Sequence, residues 1–186
     1  MKHFLRKLYI FCIVVLIAHT GCSKKEIPLF KDAKTVIELD EEEIEERSDC
    51  DTLVFTCIDY RFAFANQEFI NKNLGIEGNY DHISIPGSIY NLVNPSTQEI
   101  VFSKITRFVN FHLIKRIIVI GHRDCGGYGG TSAFSSKVAE YIYLTTDLKR
   151  AGQILIEKFP TLQVDLYLET LTKEGVQFEK INKSIF

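Results

Sequence analysis

The sequence predicts an α/β domain, a mainly parallel β-sheet flanked by helices, on three observations. Residues 52–57 (TLVFTC) and 116–120 (RIIVI) are short, apolar and β-branched, as strands buried on both faces are. Segments with helical spacing lie between and after them. A polar cluster follows each run, and in open α/β sheets ligands gather beyond the carboxyl ends of the strands.

The elements are expected as follows. After the first strand, residues 62–74 suit a helix that stops at Gly75, a residue able to take the left-handed conformation just past a helix end. Residues 82–85 form a second strand. Ser96-Thr97-Gln98-Glu99 has capping-box spacing, and Ile100, Val101, Ile105, Phe108 and Val109 then recur near helical period, so a helix is expected to start at Ser96. The 116–120 strand runs into Gly121-His122-Arg123-Asp124-Cys125-Gly126-Gly127. A helix over 146–159, ended by Pro160, precedes an alternating strand at 163–168, and the turn Lys173-Glu174-Gly175 leads to a last strand at 176–181.

With 186 residues and 46% hydrophobic content, the chain suits one well-buried core rather than two domains of ordinary size. Its 22 basic and 24 acidic side chains leave a formal charge of -2, which offers no broad surface to a polyanion and argues against nucleic acid as a partner. Fourteen Phe and eight Tyr without Trp indicate a packed aromatic and β-branched core, not a disordered chain.

The start of the chain reads differently. Lys2, Arg6 and Lys7 precede an uncharged apolar run over 8–18, then small residues and Cys22, the layout of an export signal. The run falls short of the roughly 20 residues of an ordinary transmembrane helix. His19-Thr20-Gly21-Cys22 resembles a bacterial lipobox, with Gly21 and Cys22 fitting and His19 departing from the usual aliphatic residue. The resemblance implies lipidation at Cys22, hence an exported protein of the bacterial cell envelope anchored to a membrane. The chain then divides into an export signal at 1–21, a polar tether at 22–50 that includes the acidic run 38–46, and a folded domain at 51–186.

Cysteine thiolate and histidine imidazole are preferred donors for zinc. His122 and Cys125, three residues apart on a glycine-rich turn, can face one ion, and Cys57 can reach it from a neighbouring strand end. Three protein ligands leave a fourth position open, the mark of a catalytic rather than a closed structural zinc site. His-x-x-Cys alone is a weak signal. Cys57-Ile58-Asp59-Tyr60-Arg61 followed by His122-Arg123-Asp124-Cys125-Gly126 is far more specific, and with it the chain resembles the β-class carbonic anhydrases over residues 52–181. Their signature is Cys-x-Asp-x-Arg after the first strand and His-x-x-Cys-Gly after a later one.

The resemblance implies that Cys57, His122 and Cys125 hold one Zn2+, that Asp59 and Arg61 form the accompanying catalytic dyad, that the activity is hydration of CO2 to bicarbonate, and that the protein is a homodimer. The chemistry of the residues agrees. Zinc brings the pKa of a water to about 7 and so supplies hydroxide at neutral pH. Asp59 can accept a hydrogen bond from that water, and Arg61 can grip the carboxylate with a planar fork of donors. In the resembled family the aspartate can instead bind zinc and close the site. Gly126, Gly127, Gly129 and Gly130 would allow close backbone approach, or simply make a turn. Asp124 reads equally as a supporting partner or an exposed loop carboxylate, Phe62 as a core aromatic beside the site, and His82 and His112 as structural or surface residues.

One stretch departs from the family. Where many members carry an Arg-Asn-Ala-Gly-like segment, this chain has Ile83-Ser84-Ile85-Pro86-Gly87-Ser88, and only Gly87 matches. Related enzymes of that fold hydrolyse carbonyl sulfide or carbon disulfide, which keeps those substrates open. Two further classes compete: a non-catalytic zinc-binding lipoprotein, and a redox protein using Cys50, Cys57 and Cys125 in an oxidising compartment.

Overall fold

The computed structural model describes residues 50–182. The export signal, Cys22 and the acidic run lie outside the described residues. Among the described residues, no helix is long and apolar enough to cross a membrane.

Five strands form one sheet in the order β2-β1-β3-β4-β5: β1 (Thr52–Thr56), β2 (Asp81–Ser84), β3 (Arg116–His122), β4 (Gln163–Leu171) and β5 (Val176–Lys180). The first four are parallel, and β5 returns antiparallel to β4. The predicted mainly parallel α/β sheet is therefore what the chain builds. Every residue of β1 is buried, as its unbroken apolar run requires of a central strand.

The helices are α1 (Tyr60–Glu68), continued by a π-helical turn (Phe69–Asn73), α2 (Ile89–Val93), α3 (Pro95–Phe111) and α4 (Lys137–Lys158). Gly75 follows the π turn at φ +65°, the left-handed stop expected of it. Three expectations are corrected. Helix α3 is capped by Asn94, whose side chain accepts from Ser96 N at 3.0 Å, and Pro95 opens the helix; Ser96 is already inside it. Helix α4 begins at Lys137, nine residues before the expected start, because Ser136 caps it by accepting from Ala139 N at 3.0 Å. The short helix α2 follows directly on the stretch 83–88 that departs from the resembled family, where no element was expected.

Side chains alternate across the sheet. Leu53, Phe55, Ile117, Val119, Val164, Leu166 and Leu168 point to one face, where α2, α3 and α4 cover them with Leu92, Ile105, Leu144, Leu148 and Leu155. Val54, Ile118, Ile120 and Tyr167 point to the other, under a smaller cluster that includes Ile70 of the π turn. Because β1 and β3 are adjacent and parallel, with Phe55 opposite Val119, their carboxyl ends open on the same edge. The two polar motifs meet there.

Candidate metal centre

Cys57 follows β1, His122 ends β3, and Cys125 lies three residues on. One side-chain donor atom from each falls within 4.8 Å of the others, with His122 and Cys125 buried and Cys57 half-buried. The His122 ring is fixed from both sides. Its Nδ1 donates to the Arg123 carbonyl at 2.8 Å, which leaves Nε2 as the lone-pair nitrogen. Phe62 packs on it with ring centroids 4.5 Å apart. Nε2 is buried and has no hydrogen-bond partner among the described residues, and an orphaned acceptor between two sulfurs is what a bound cation would satisfy. The donor set, two thiols and one imidazole, suits zinc.

The thiols are electrostatically coupled. A hydrogen bond from Cys125, with the Gly87 amide, holds the Cys57 thiol far below its usual pKa against the opposing effect of burial. The Cys125 thiol moves up in turn, through its bond to Cys57 and its burial, while the Gly127 and Tyr128 amides oppose that rise. Gly87 N lies 3.3 Å from Cys57 Sγ. Gly87 has φ +81°, and a Cβ on Gly127 would sit 2.5 Å from Gly87 Cα, so both loops close over the sulfurs only because each is glycine. Gly87 is the one position of its stretch that matched the resembled family.

Asp59 caps α1, its Oδ1 accepting from Arg61 N at 3.0 Å. The Arg61 side chain grips the same carboxylate, Nη2 donating to Oδ2 at 2.6 Å and Nε to Oδ1 at 3.0 Å. These bonds hold the Asp59 carboxyl down at about 2 and push Arg61 up. Asp59 Oδ2 stands 4.0 Å from His122 Nε2. Arg61 also reaches the far loop, Nη1 donating to Asp124 Oδ2 at 2.7 Å and Nη2 to the Asp124 carbonyl at 3.0 Å. Asp124 is thus both a partner of Arg61 and half exposed.

The remaining candidates lie apart from the cluster's donor atoms. His82 Nε2 pairs with Thr56 Oγ1 at 2.7 Å, and burial lowers its pKa. His112 Nδ1 meets Asp81 Oδ2 at 2.6 Å. Cys50, Cys57 and Cys125 are all free thiols, and Cys50 donates to the Thr52 carbonyl at 3.3 Å.

Three buried polar residues near the site escaped the sequence reading. Glu140 accepts from Asp124 N, Arg123 and Thr131. Its own burial works against ionisation, yet these bonds hold its carboxyl below the ordinary value. It was missed because the expected helix began at residue 146. Glu169, opposite His122 in the sheet, is buried with Oε1 unpartnered, and burial raises its pKa to about 9. Asn66, on the buried side of α1, approaches it. The expected strand ended at Leu168, one residue short of Glu169, and its alternation did not mark the row Asp165, Tyr167 and Glu169 as buried.

Two curated relatives are similar over most of the chain, both uncharacterized proteins. One, from Rickettsia bellii, is 32% identical over 75% of this chain and 89% of its own length. The other, from Rickettsia conorii, is 30% identical over 71% and 74%. Among solved structures, the β-carbonic anhydrase of Aspergillus fumigatus shares the fold with a TM-score of 0.52, at 14% identity over 73% of this chain and 76% of that one. A family model described as "Putative carbonic anhydrase" matches residues 47–174, the stretch that carries both strand-end motifs, and the chain belongs to that family.

Proposed function

We propose that the protein is a zinc lyase that hydrates CO2 reversibly to bicarbonate and a proton, with Cys57, His122 and Cys125 as metal ligands and Asp59 and Arg61 as the catalytic pair. The observation that carries this reading is the unpartnered His122 Nε2, grouped with two cysteine sulfurs and 4.0 Å from an Arg61-gripped carboxylate. Zinc held there would supply Lewis acidity, lowering the pKa of a water toward about 7. Asp59 would orient the attacking water by accepting its hydrogen bond at Oδ2. A carboxyl held at about 2 is too weak a base to keep that water's proton, so its part is orientation. Arg61 holds both oxygens of the carboxylate, which would favour the arrangement in which Asp59 leaves a fourth ligand position open. Phe62 walls the imidazole off from bulk water.

The mouth of the site favours a homodimer. A cavity of about 600 Å³ opens beside Cys57, Asp59 and Gly87. Ile58, Tyr60 and Phe64 stand 57%, 86% and 79% exposed along this part of the chain, apolar surface that a second copy would cover. Sedimentation of a fully active strict monomer would remove that idea. Lipid anchoring at Cys22 rests on the leader's layout, and the mass of the mature protein, with Cys22→Ala as control, checks it.

The deciding experiment pairs metal analysis with stopped-flow CO2 hydration. The expected outcome is one zinc per chain with turnover, and an Asp59→Asn variant that keeps its zinc and loses turnover by about 10²-fold or more. Full zinc loading with no CO2 turnover defeats the reading. Turnover of carbonyl sulfide or carbon disulfide in its place redirects it to the hydrolases of the same fold.

A further inference from the structure

We propose that Glu140 of α4 is a positioning residue whose buried carboxylate shapes the ligand loop 122–125 and thereby sets the affinity of the metal site. The inference rests on the metal-binding part of the reading above and is independent of CO2 as substrate.

Between the ligands His122 and Cys125, the chain turns at Asp124, which has φ +55°. A non-glycine residue rarely adopts that left-handed conformation, and although aspartate tolerates it better than most, its surroundings must hold it there. Every polar part of Asp124 is engaged. Its carbonyl and Oδ2 accept from Arg61, and its Oδ1 accepts from Thr131 N at 2.8 Å. Its amide donates to Glu140 Oε1 at 2.6 Å.

Glu140, like Arg61, anchors the loop from outside it, and it does so at the Asp124 amide. Its side chain is 1% exposed and accepts four bonds, from Asp124 N and from Arg123 through Nη2 at 2.9 Å and Nε at 3.3 Å within the loop, and from Thr131 Oγ1 at 3.0 Å beyond it. A carboxylate is the side chain that can accept on both oxygens at once. Glutamine of equal size accepts on one and would aim an NH2 at either the Asp124 amide or the Arg123 guanidinium. Glu140 also occupies Arg123. Without it Arg123 keeps only its bond to the Lys137 carbonyl at 2.6 Å, and its guanidinium can compete with Arg61 for Asp124, the link between the ligand loop and the Asp59 side of the site.

The test uses the full chain carrying Glu140→Gln, with exposed Glu157→Gln as control. Zinc affinity is read by competition with a chromophoric chelator, and cobalt(II) absorption reports ligand geometry. Loss of a partner that orients metal ligands raises the metal Kd by about 10–100-fold. That rise, with a shifted cobalt spectrum and a folded circular dichroism spectrum, is the expected result. A Kd within twofold of wild type, whatever the change in thermal midpoint, overturns the proposal by leaving Glu140 only a structural part. Should Glu140→Gln not fold, Arg123→Gln decides on the same readout: a several-fold weaker Kd supports the proposal, and an unchanged one overturns it. Wild-type protein with no zinc affinity overturns the metal site itself, and this inference with it.

Discussion

The two faces of the sheet are built differently, and the imidazole of the candidate metal cluster belongs to the thinner one. On one face α2, α3 and α4 lay down a continuous apolar layer, from Leu53 and Phe55 through Ile105 to Leu144, Leu148 and Leu155, all fully buried. On the other, the row begun by Ile118 and Ile120 runs on to His122, and Tyr167 is flanked by Asp165 and Glu169. Cover there comes from α1 and the π turn, and it admits Asn66 and Phe62 beside the imidazole. An all-apolar layer contributes stability but presents no donor atoms, and burying ions without partners is costly. Stability is thus concentrated on the thick face, which leaves the thin face free to carry unsatisfied polar groups.

Truncating the thick face is the strongest way to break this comparison. Leu148→Ala leaves a cavity between α4 and the sheet and is expected to cost about 2–5 kcal/mol in chemical denaturation. Its zinc Kd should equal that of wild type, since Leu148 lies in the cluster on the opposite face from the His122 row. A variant that loses metal affinity in step with stability would show that the faces do not separate.

The thin face predicts a pH signature in the metal-free protein. Glu169 has its pKa raised by burial to about 9, above an ordinary value of 4.5. The folded state therefore binds more protons than the unfolded state between those values. By linkage, the stability this group contributes is fully present below about 4.5 and declines as pH rises toward 9, with a slope of at most about 1.4 kcal/mol per pH unit. Glu169→Gln, which stays neutral throughout, removes that decline. Denaturation midpoints of the two proteins should diverge from pH 5 to pH 9 with the variant the more stable at the alkaline end. Parallel curves would mean that Glu169 ionises freely, through a solvent path the structure does not contain.

The same contrast explains what could be read from the sequence. TLVFTC and RIIVI were legible as central strands because both faces of such strands are apolar, and their parallel pairing brought Cys57 and His122 to one edge. The Asp59–Arg61 bond was legible because it spans two residues of one motif. Glu169 was not, because a period-2 pattern of apolar and polar residues signals one solvated face, and only the tertiary placement of α1 and β5 buries it. Glu140 was hidden by the late start given to α4, and its role depends on a left-handed Asp124 that no periodicity reveals.

The smallest expected effect tests where α3 begins on the thick face. Both Asn94 and Ser96 suit an N-cap, and Ser96 had the capping-box spacing, but Pro95 decides between them. Proline's fixed φ favours the first helical position, and its missing N–H is one the helix does not use there. That places Asn94 at the cap, where Oδ1 accepts from both Ser96 N and Ser96 Oγ. Asn94→Ala should therefore cost about 1 kcal/mol, the usual loss of a cap, while Ser96→Ala, which removes an exposed hydroxyl and its bond to Asn94 Oδ1 but leaves the cap on Ser96 N, costs less than half of that. Thermal midpoints rank the two, and zinc Kd should not move for either, because α3 packs away from the His122 row. Equal losses would return the cap to Ser96. A change in Kd would mean that even the start of a thick-face helix reaches the metal cluster through the sheet.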